Sequence, residues 1–135
     1  VQISGTALRM TSSGFLKLFN ASEKFRAIIN EFQAQIFMET QRSAACHALH
    51  TVEARLCRWL LQSQDVLNSD TLKLTQEVLS HMLGVQRATV SQAATALQHE
   101  GIIHYIRGSI KILDRPRLEQ RACECYEHIR DFSAS

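Results

Sequence analysis

The sequence predicts a predominantly α chain carrying one small β-hairpin. Three observations predict it: apolar side chains recur at three and four residues through an uninterrupted stretch, residues 22–49; two shorter amphipathic segments meet at Gly84; and a strand–turn–strand pattern follows directly behind Gly101. Together they describe a long helix followed by a winged helix-turn-helix domain.

Residues 1–10 mix Ile3 and Leu8 with small residues, a pattern that suits a short strand, and Thr11 or Ser12 can cap a short helix behind it. From residue 22 to 49 there is neither Gly nor Pro, and Phe25, Ile28, Ile29, Phe32 and Ile36 share one face. A helix of ~27 residues reaches ~40 Å, more than a small domain covers, so this stripe is expected to meet a second copy of the chain. Phe37 and Met38 could instead widen it into ordinary core. His50 and Thr51 interrupt the pattern, and Thr51 can cap a further helix running to about Gln64 through Val52, Leu56, Trp59, Leu60 and Leu61. Residues 65–70 are polar and loop-like, and residues 71–74 suit a short strand.

Two helices meeting at a sharp turn then account for residues 76–95. Thr75 can cap the first helix, Glu77 complements its dipole, and Leu79, Met82 and Leu83 form its inner face. Ser80 is small where a second helix would cross, Gly84 supplies a left-handed backbone position, and Val85 fills the corner. In the second helix, expected at about 87–99, Val90, Ala93 and Leu97 face inward while Arg87, Ser91, Gln92 and Thr95 face out. Arg pairs well with guanine, Gln with adenine, and Ser or Thr with bases or phosphates, so this row suits the major groove of double-stranded DNA. Any helical hairpin with a glycine turn would show similar apolar positions, so the hairpin behind it matters. Gly101 stops the second helix; Ile102, Ile103 and Tyr105 suit a strand, Arg107 and Gly108 a tight turn, and Ile110, Ile112 and Leu113 the return. That is a wing, whose Arg107 and Ser109, with Lys111 behind, could hold phosphate or could be plain solvated residues. Pro116 then fits the first turn of a last helix with Leu118, Ala122 and Tyr126 on one side. The candidate DNA-contacting residues are Thr75, Gln76, Gln86, Arg87, Ala88, Thr89, Ser91, Gln92, Thr95, Arg107, Gly108 and Ser109.

Composition sets bounds on this reading. The 135 residues, 45% hydrophobic and 21% charged, suit one ordinary folded domain with an appendage. A net charge of +2 does not itself announce nucleic acid, and residues 75–113 carry an excess of only one positive charge, though His81, His99 and His104 would add to it at lower pH. Four cysteines without a dense framework favour a reducing compartment, the cytoplasm by default, and no apolar run of ~18 residues suggests a membrane span. Beginning at Val1, the chain reads as a piece of something longer.

In three stretches, HTVEARLCRWLL at 50–61, LTQEVLSHMLGV at 74–85 and GIIHYIRG at 101–108, the chain resembles the Crp/Fnr family of bacterial regulators, and ACECY at 122–126 is similar to one of its subgroups. The resemblance implies a homodimeric transcription regulator with an effector-sensing β-roll, a dimerisation helix and a winged helix-turn-helix that binds a near-palindromic operator. On that pattern residues 1–21 are the end of a truncated β-roll, 22–50 the dimerisation helix and 51–135 the DNA-binding domain. RNA polymerase is a further partner the resemblance implies. The family's best-known recognition helix opens Arg-Glu-Thr-Val with a second Arg four residues after the Glu. Arg87, Thr89 and Val90 match it, but Ala88 and Gln92 replace the Glu and the second Arg, so the usual operator preference does not carry over. Thr40 falls roughly where some relatives touch a cyclic nucleotide.

Cys123, Cys125 and His128 invite a metal reading that helical geometry opposes. Residues two apart on one helix point in nearly opposite directions, so Cys125 could pair with His128 but not easily with Cys123. Cys46 and His50, four apart, form a second pair, and the two pairs would have to converge. The expectation is thiol packing, with no metal and no cofactor in this part of the protein. Nor does the sequence carry a phosphate-cradling loop, a nucleophile elbow or a convincing acid pair, so an enzyme is not expected. The competing function is a winged helix used only for protein interaction or dimerisation.

Overall fold

Most of the helices begin where a short polar side chain can take up a free amide of the first turn. In the computed structural model, which describes residues 6–106 and 108–128, Thr11 caps α1 (Ser12–Ala21), its hydroxyl oxygen accepting from the Gly14 amide at 3.1 Å. Ser22 accepts from the Phe25 amide and opens α2 (Glu23–Leu49). Thr51 caps α3 (Val52–Leu67) and Thr75 caps α4 (Gln76–Leu83) in the same way. Helix α5 (Arg87–His99) follows, then strands β2 (Ile103–Ile106) and β3 (Ser109–Ile112), and α6 (Arg115–Arg121), capped by Asp114 with Pro116 in its first turn. A two-residue strand β1 (Thr71–Leu72) pairs antiparallel with β3, giving the order β1-β3-β2. The chain is thus mainly helical with a small three-stranded sheet. Among the described residues no helix is long and apolar enough to cross a membrane.

The chain divides into two compact units, one ending at Gln41 and the other starting at Arg42. In the first, Phe15 stacks on Phe19 and meets the edge of Phe25, and the Arg26 guanidinium donates to the Phe19 and Asn20 carbonyls. In the second, α3 is the central element and packs on α4, α5, α6 and β1. Its Leu56, Leu60 and Leu61 are fully buried with Leu79 and Leu83 of α4, Val90 and Leu97 of α5, Ile103 and Ile110 of the sheet, and Leu118 of α6. At ~1.5–3 kcal/mol for each large apolar side chain removed from water, this cluster is the main driving force for the unit.

Several boundaries depart from the sequence expectation. Helix α3 continues three residues past Gln64 and stops at Asn68, which adopts the left-handed conformation (φ 47°). Those residues open the stretch 65–70, expected as a loop, but Asp65 is engaged, its carboxylate 2.9 Å from Arg115 and accepting from the Tyr126 hydroxyl. β1 ends at Leu72 rather than at 74, since the Leu74 amide turns back to the Leu72 carbonyl. Leu113 lies beyond β3 and is exposed, its amide donating to Ile102. The last helix does not run through Tyr126: Ala122 is extended (φ −73°, ψ 153°) and ends α6 at Arg121. A strand was expected within residues 1–10; residues 1–5 lie outside the described residues, and residues 6–10 form no strand.

Candidate nucleic-acid interface

The turn between α4 and α5 is built by Gly84. It sits at φ 62° and ψ 37°, its amide directed at the Ser80 and His81 carbonyls, while the Val85 amide bonds to Ser80. Ser80 is buried with its hydroxyl donating to the Glu77 carbonyl, which leaves room for α5 to cross. Behind the turn, Arg55 of α3 donates to the Leu83 carbonyl and so satisfies an end group of α4.

Helix α5 has two faces of opposite character. Val90, Ala93, Ala94 and Leu97 are buried; Gln86, Arg87, Ala88, Gln92 and Thr95 are exposed; Thr89 and Ser91 are half-buried. Ala88, Ser91, Gln92, Thr95, Ala96 and His99 line a shallow open depression along the outer face. The helix begins without a side-chain cap and without an acid in its first turn, so the positive end of its dipole faces outward unneutralised by its own residues. Gln76 reaches from the start of α4 to Ser91, Nε2 to Oγ 3.4 Å, joining the two helices along this face. Thr75 is exposed beside the wing: a Cβ on Gly108 (φ 79°) would stand 4.0 Å from its Cγ2. Gly108 and Ser109 are half-buried, and Arg107 lies outside the described residues. Thus Thr75, Gln76, the outer row of α5 and the start of β3 come together on one surface.

The local electrostatics favour an anion more than a residue count suggests. Glu100, one of the two acids in residues 75–113, is paired with both Arg117 and Arg121 from α6. Glu77 lies 3.8 Å from Arg87, but both ends of that pair are well exposed, so it constrains Arg87 weakly. Lys111 and His104 are opposed across β2 and β3 and both are exposed.

The Crp-like helix-turn-helix domain model matches residues 54–121, half of the chain and the whole of this surface. The chain belongs to the Crp/Fnr family. Solved structures share its fold. A transcriptional regulator of the Crp/Fnr family from Eubacterium rectale is 26% identical, with a TM-score of 0.67 over 78% of this chain and 49% of that one. A Crp/Fnr-family transcriptional regulator from Thermus thermophilus is 23% identical with a TM-score of 0.70, covering 75% of this chain and 55% of that one. FixK2 from Bradyrhizobium japonicum is 19% identical with a TM-score of 0.75, covering 82% and 58%. The chain therefore spans about half the length of the solved relatives it matches. Curated protein sequences gave no match.

This Crp/Fnr chain also contains a cluster that the sequence argument did not assemble. Cys46, His50, Cys123 and Cys125 bring one ligand atom each to within 4.8 Å of one another. The break at Ala122 is responsible: its extended backbone ends α6, Cys123 lies outside any helix and Cys125 begins a new helical turn, so the two are not bound to opposite sides of one helix. His128 is not among the four; its carbonyl accepts from Arg42. The readable signals were the Cys46–His50 spacing and the ACECY motif; convergence needed the interruption that no Gly or Pro announces. Burial pushes the Cys123 thiol up to about 12, with Cys46 beside it acting in the same direction. Burial also raises Cys46, but His50, the Arg58 charge and the neighbouring thiols outweigh it and leave Cys46 below the ordinary thiol range.

Proposed function

We propose that this chain is the DNA-binding part of a homodimeric transcription regulator, each subunit setting α5 into a major groove of double-stranded DNA and resting its wing on the adjacent backbone. The observation that carries the reading is the two-sided character of α5, its apolar face sealed and its Arg87, Ala88, Gln92 and Thr95 row open to a partner. Arg87 and Gln92 supply the bidentate groups that read guanine and adenine, and Ala88 leaves a methyl face toward a thymine methyl. Thr75, Gln76, Gly108 and Ser109 flank the row and serve as backbone contacts that position the helix, and the same role is assigned to Arg107 from its place in the sequence.

Dimerisation rests on α2. Ile28, Phe32 and Ile36 follow one another at four-residue spacing and stay exposed, whereas Ile29 is half-buried and Phe25 is engaged with Phe15. A stripe of this kind on a long helix is what a symmetric helix pair covers. The region that relatives carry beyond this chain's span would hold the effector, with control passing through α2.

Selection of bound sequences from a random duplex library, followed by gel shifts over a salt series, tests this. The expected result is a near-palindrome whose half-sites lie about one helical turn apart, with affinity falling steeply with salt. Binding that is absent at low salt, or indifferent to salt, would leave the winged helix as a protein-interaction module.

A further inference from the structure

We propose that Cys46, His50, Cys123 and Cys125 form a mononuclear, tetrahedral Zn2+ site that ties the last turns of α2 to the segment after α6. The spacing argues for one ion. Zn–S bonds of ~2.3 Å and a Zn–N bond of ~2.0 Å, at tetrahedral angles, place neighbouring sulfurs ~3.8 Å apart and sulfur ~3.6 Å from nitrogen. The Cys46 and Cys123 Sγ atoms are 3.6 Å apart, and Cys125 Sγ is 3.7 Å from His50 Nδ1. All four donor atoms fall within 4.8 Å, whereas an iron–sulfur cluster would hold its ligands apart by its own width.

The ring of His50 is oriented as a ligand's should be. Its Nδ1 faces the sulfurs, and Nε2 stands 3.0 Å from the Glu124 carboxylate. A carboxylate accepting from the far nitrogen fixes the tautomer and strengthens the near one as a donor. A separate observation concerns charge. Arg58 is 2% exposed, forms no ion pair among the described residues, and leaves Nε and Nη2 without a hydrogen-bond partner. It lies close enough to act electrostatically on both Cys46 and Cys123. Three thiolates and a neutral imidazole around a dication carry one net negative charge, which is the counter-ion this buried guanidinium lacks. Binding forms three Zn–S bonds and one Zn–N bond in place of the ion's bound waters, which leave to solvent, and breaks three S–H bonds whose protons also pass to solvent. With four protein ligands the site is closed, so its role is structural.

The test is a titration of the reduced 135-residue chain with Co2+, followed by Zn2+. One equivalent of Co2+ should give the intense visible bands of tetrahedral thiolate coordination, and Zn2+ should displace it. Zn2+ should also protect Cys46, Cys123 and Cys125 from alkylation. Cys123→Ser should abolish the bands. Glu124→Gln, an exposed change that leaves the fold intact, should weaken Zn2+ binding about 10-fold, at the low end of ~10–100-fold for such partners. Only the weak absorbance of six-coordinate aqueous Co2+ in the unmutated chain, or iron and sulfide bound at these cysteines, would overturn the site. Unchanged affinity in Glu124→Gln would overturn Nδ1 as the ligating atom.

Discussion

Replacing Gly84 by alanine isolates the backbone contribution of the turn that aims α5. At φ 62° the residue is in the left-handed region, which costs an L-residue ~1–2 kcal/mol. Space adds nothing to that figure, since a Cβ there would meet only the His47 ring, 3.7 Å away at Nδ1, an ordinary contact. The alanine chain also has less freedom when unfolded, which offsets ~0.4–1 kcal/mol. A net loss of about 1 kcal/mol follows. The second unit is of the size for which ~1 kcal/mol lowers Tm by ~4–8 °C. Urea unfolding should show the midpoint falling with an unchanged slope, because the surface exposed on unfolding is the same. Gly84→Asn should fall between glycine and alanine, since asparagine tolerates the left-handed region better, and Gly84→Val should be the worst. An alanine variant as stable as the parent, or an asparagine variant less stable than the alanine one, would refute the backbone account.

Other expectations are more direct. Arg87→Ala should cost ~1–3 kcal/mol of operator binding and relax one base position, whereas Arg107→Ala should weaken all sequences alike and reduce the salt slope by ~1, as gel shifts will show. Phe32→Glu puts a charge into the exposed α2 stripe and should leave the chain monomeric in sedimentation at micromolar concentration, while its far-ultraviolet dichroism stays unchanged. Burial, with the hydrogen bond to Asp65, pushes Tyr126 up to about 12, against ~10 for a free phenol. The folded chain then holds a proton that the unfolded chain has lost, so this stabilisation is complete below pH ~10 and disappears as pH rises to about 12. Tyr126→Phe should remove that part of the alkaline fall in urea midpoint. It should leave the part from Cys57, which burial also pushes to about 12.

The architecture was legible wherever one residue type has one local use. Thr51 and Thr75 cap helices because a short hydroxyl reaches the third amide, and Gly84 ends α4 because the backbone there is left-handed. The outer row of α5 followed from its period alone. What escaped was long-range. Asp65 and Arg115 meet across 50 positions of sequence, and the pairing accompanies the last turn of α3 where the stretch 65–70 was expected to be a loop. Phe25 belongs to the α2 stripe by period, yet its ring is engaged by Phe15, a preference set by a neighbouring element. The cysteine cluster escaped because continuous helical reasoning across Ala122 sends Cys123 and Cys125 to opposite sides.

One hydrogen bond bears on how a duplex would be gripped. The Tyr105 amide, on the edge of β2 away from β3, donates to Gln98 Oε1 of α5 at 2.7 Å. That carboxamide blocks the sheet's open margin against another strand. It also fastens the hairpin to the helix beside it, so the two advance as one jaw with a set gape. An operator whose groove and backbone are mismatched to that gape must itself bend, and discrimination then falls on DNA stiffness at positions no side chain touches.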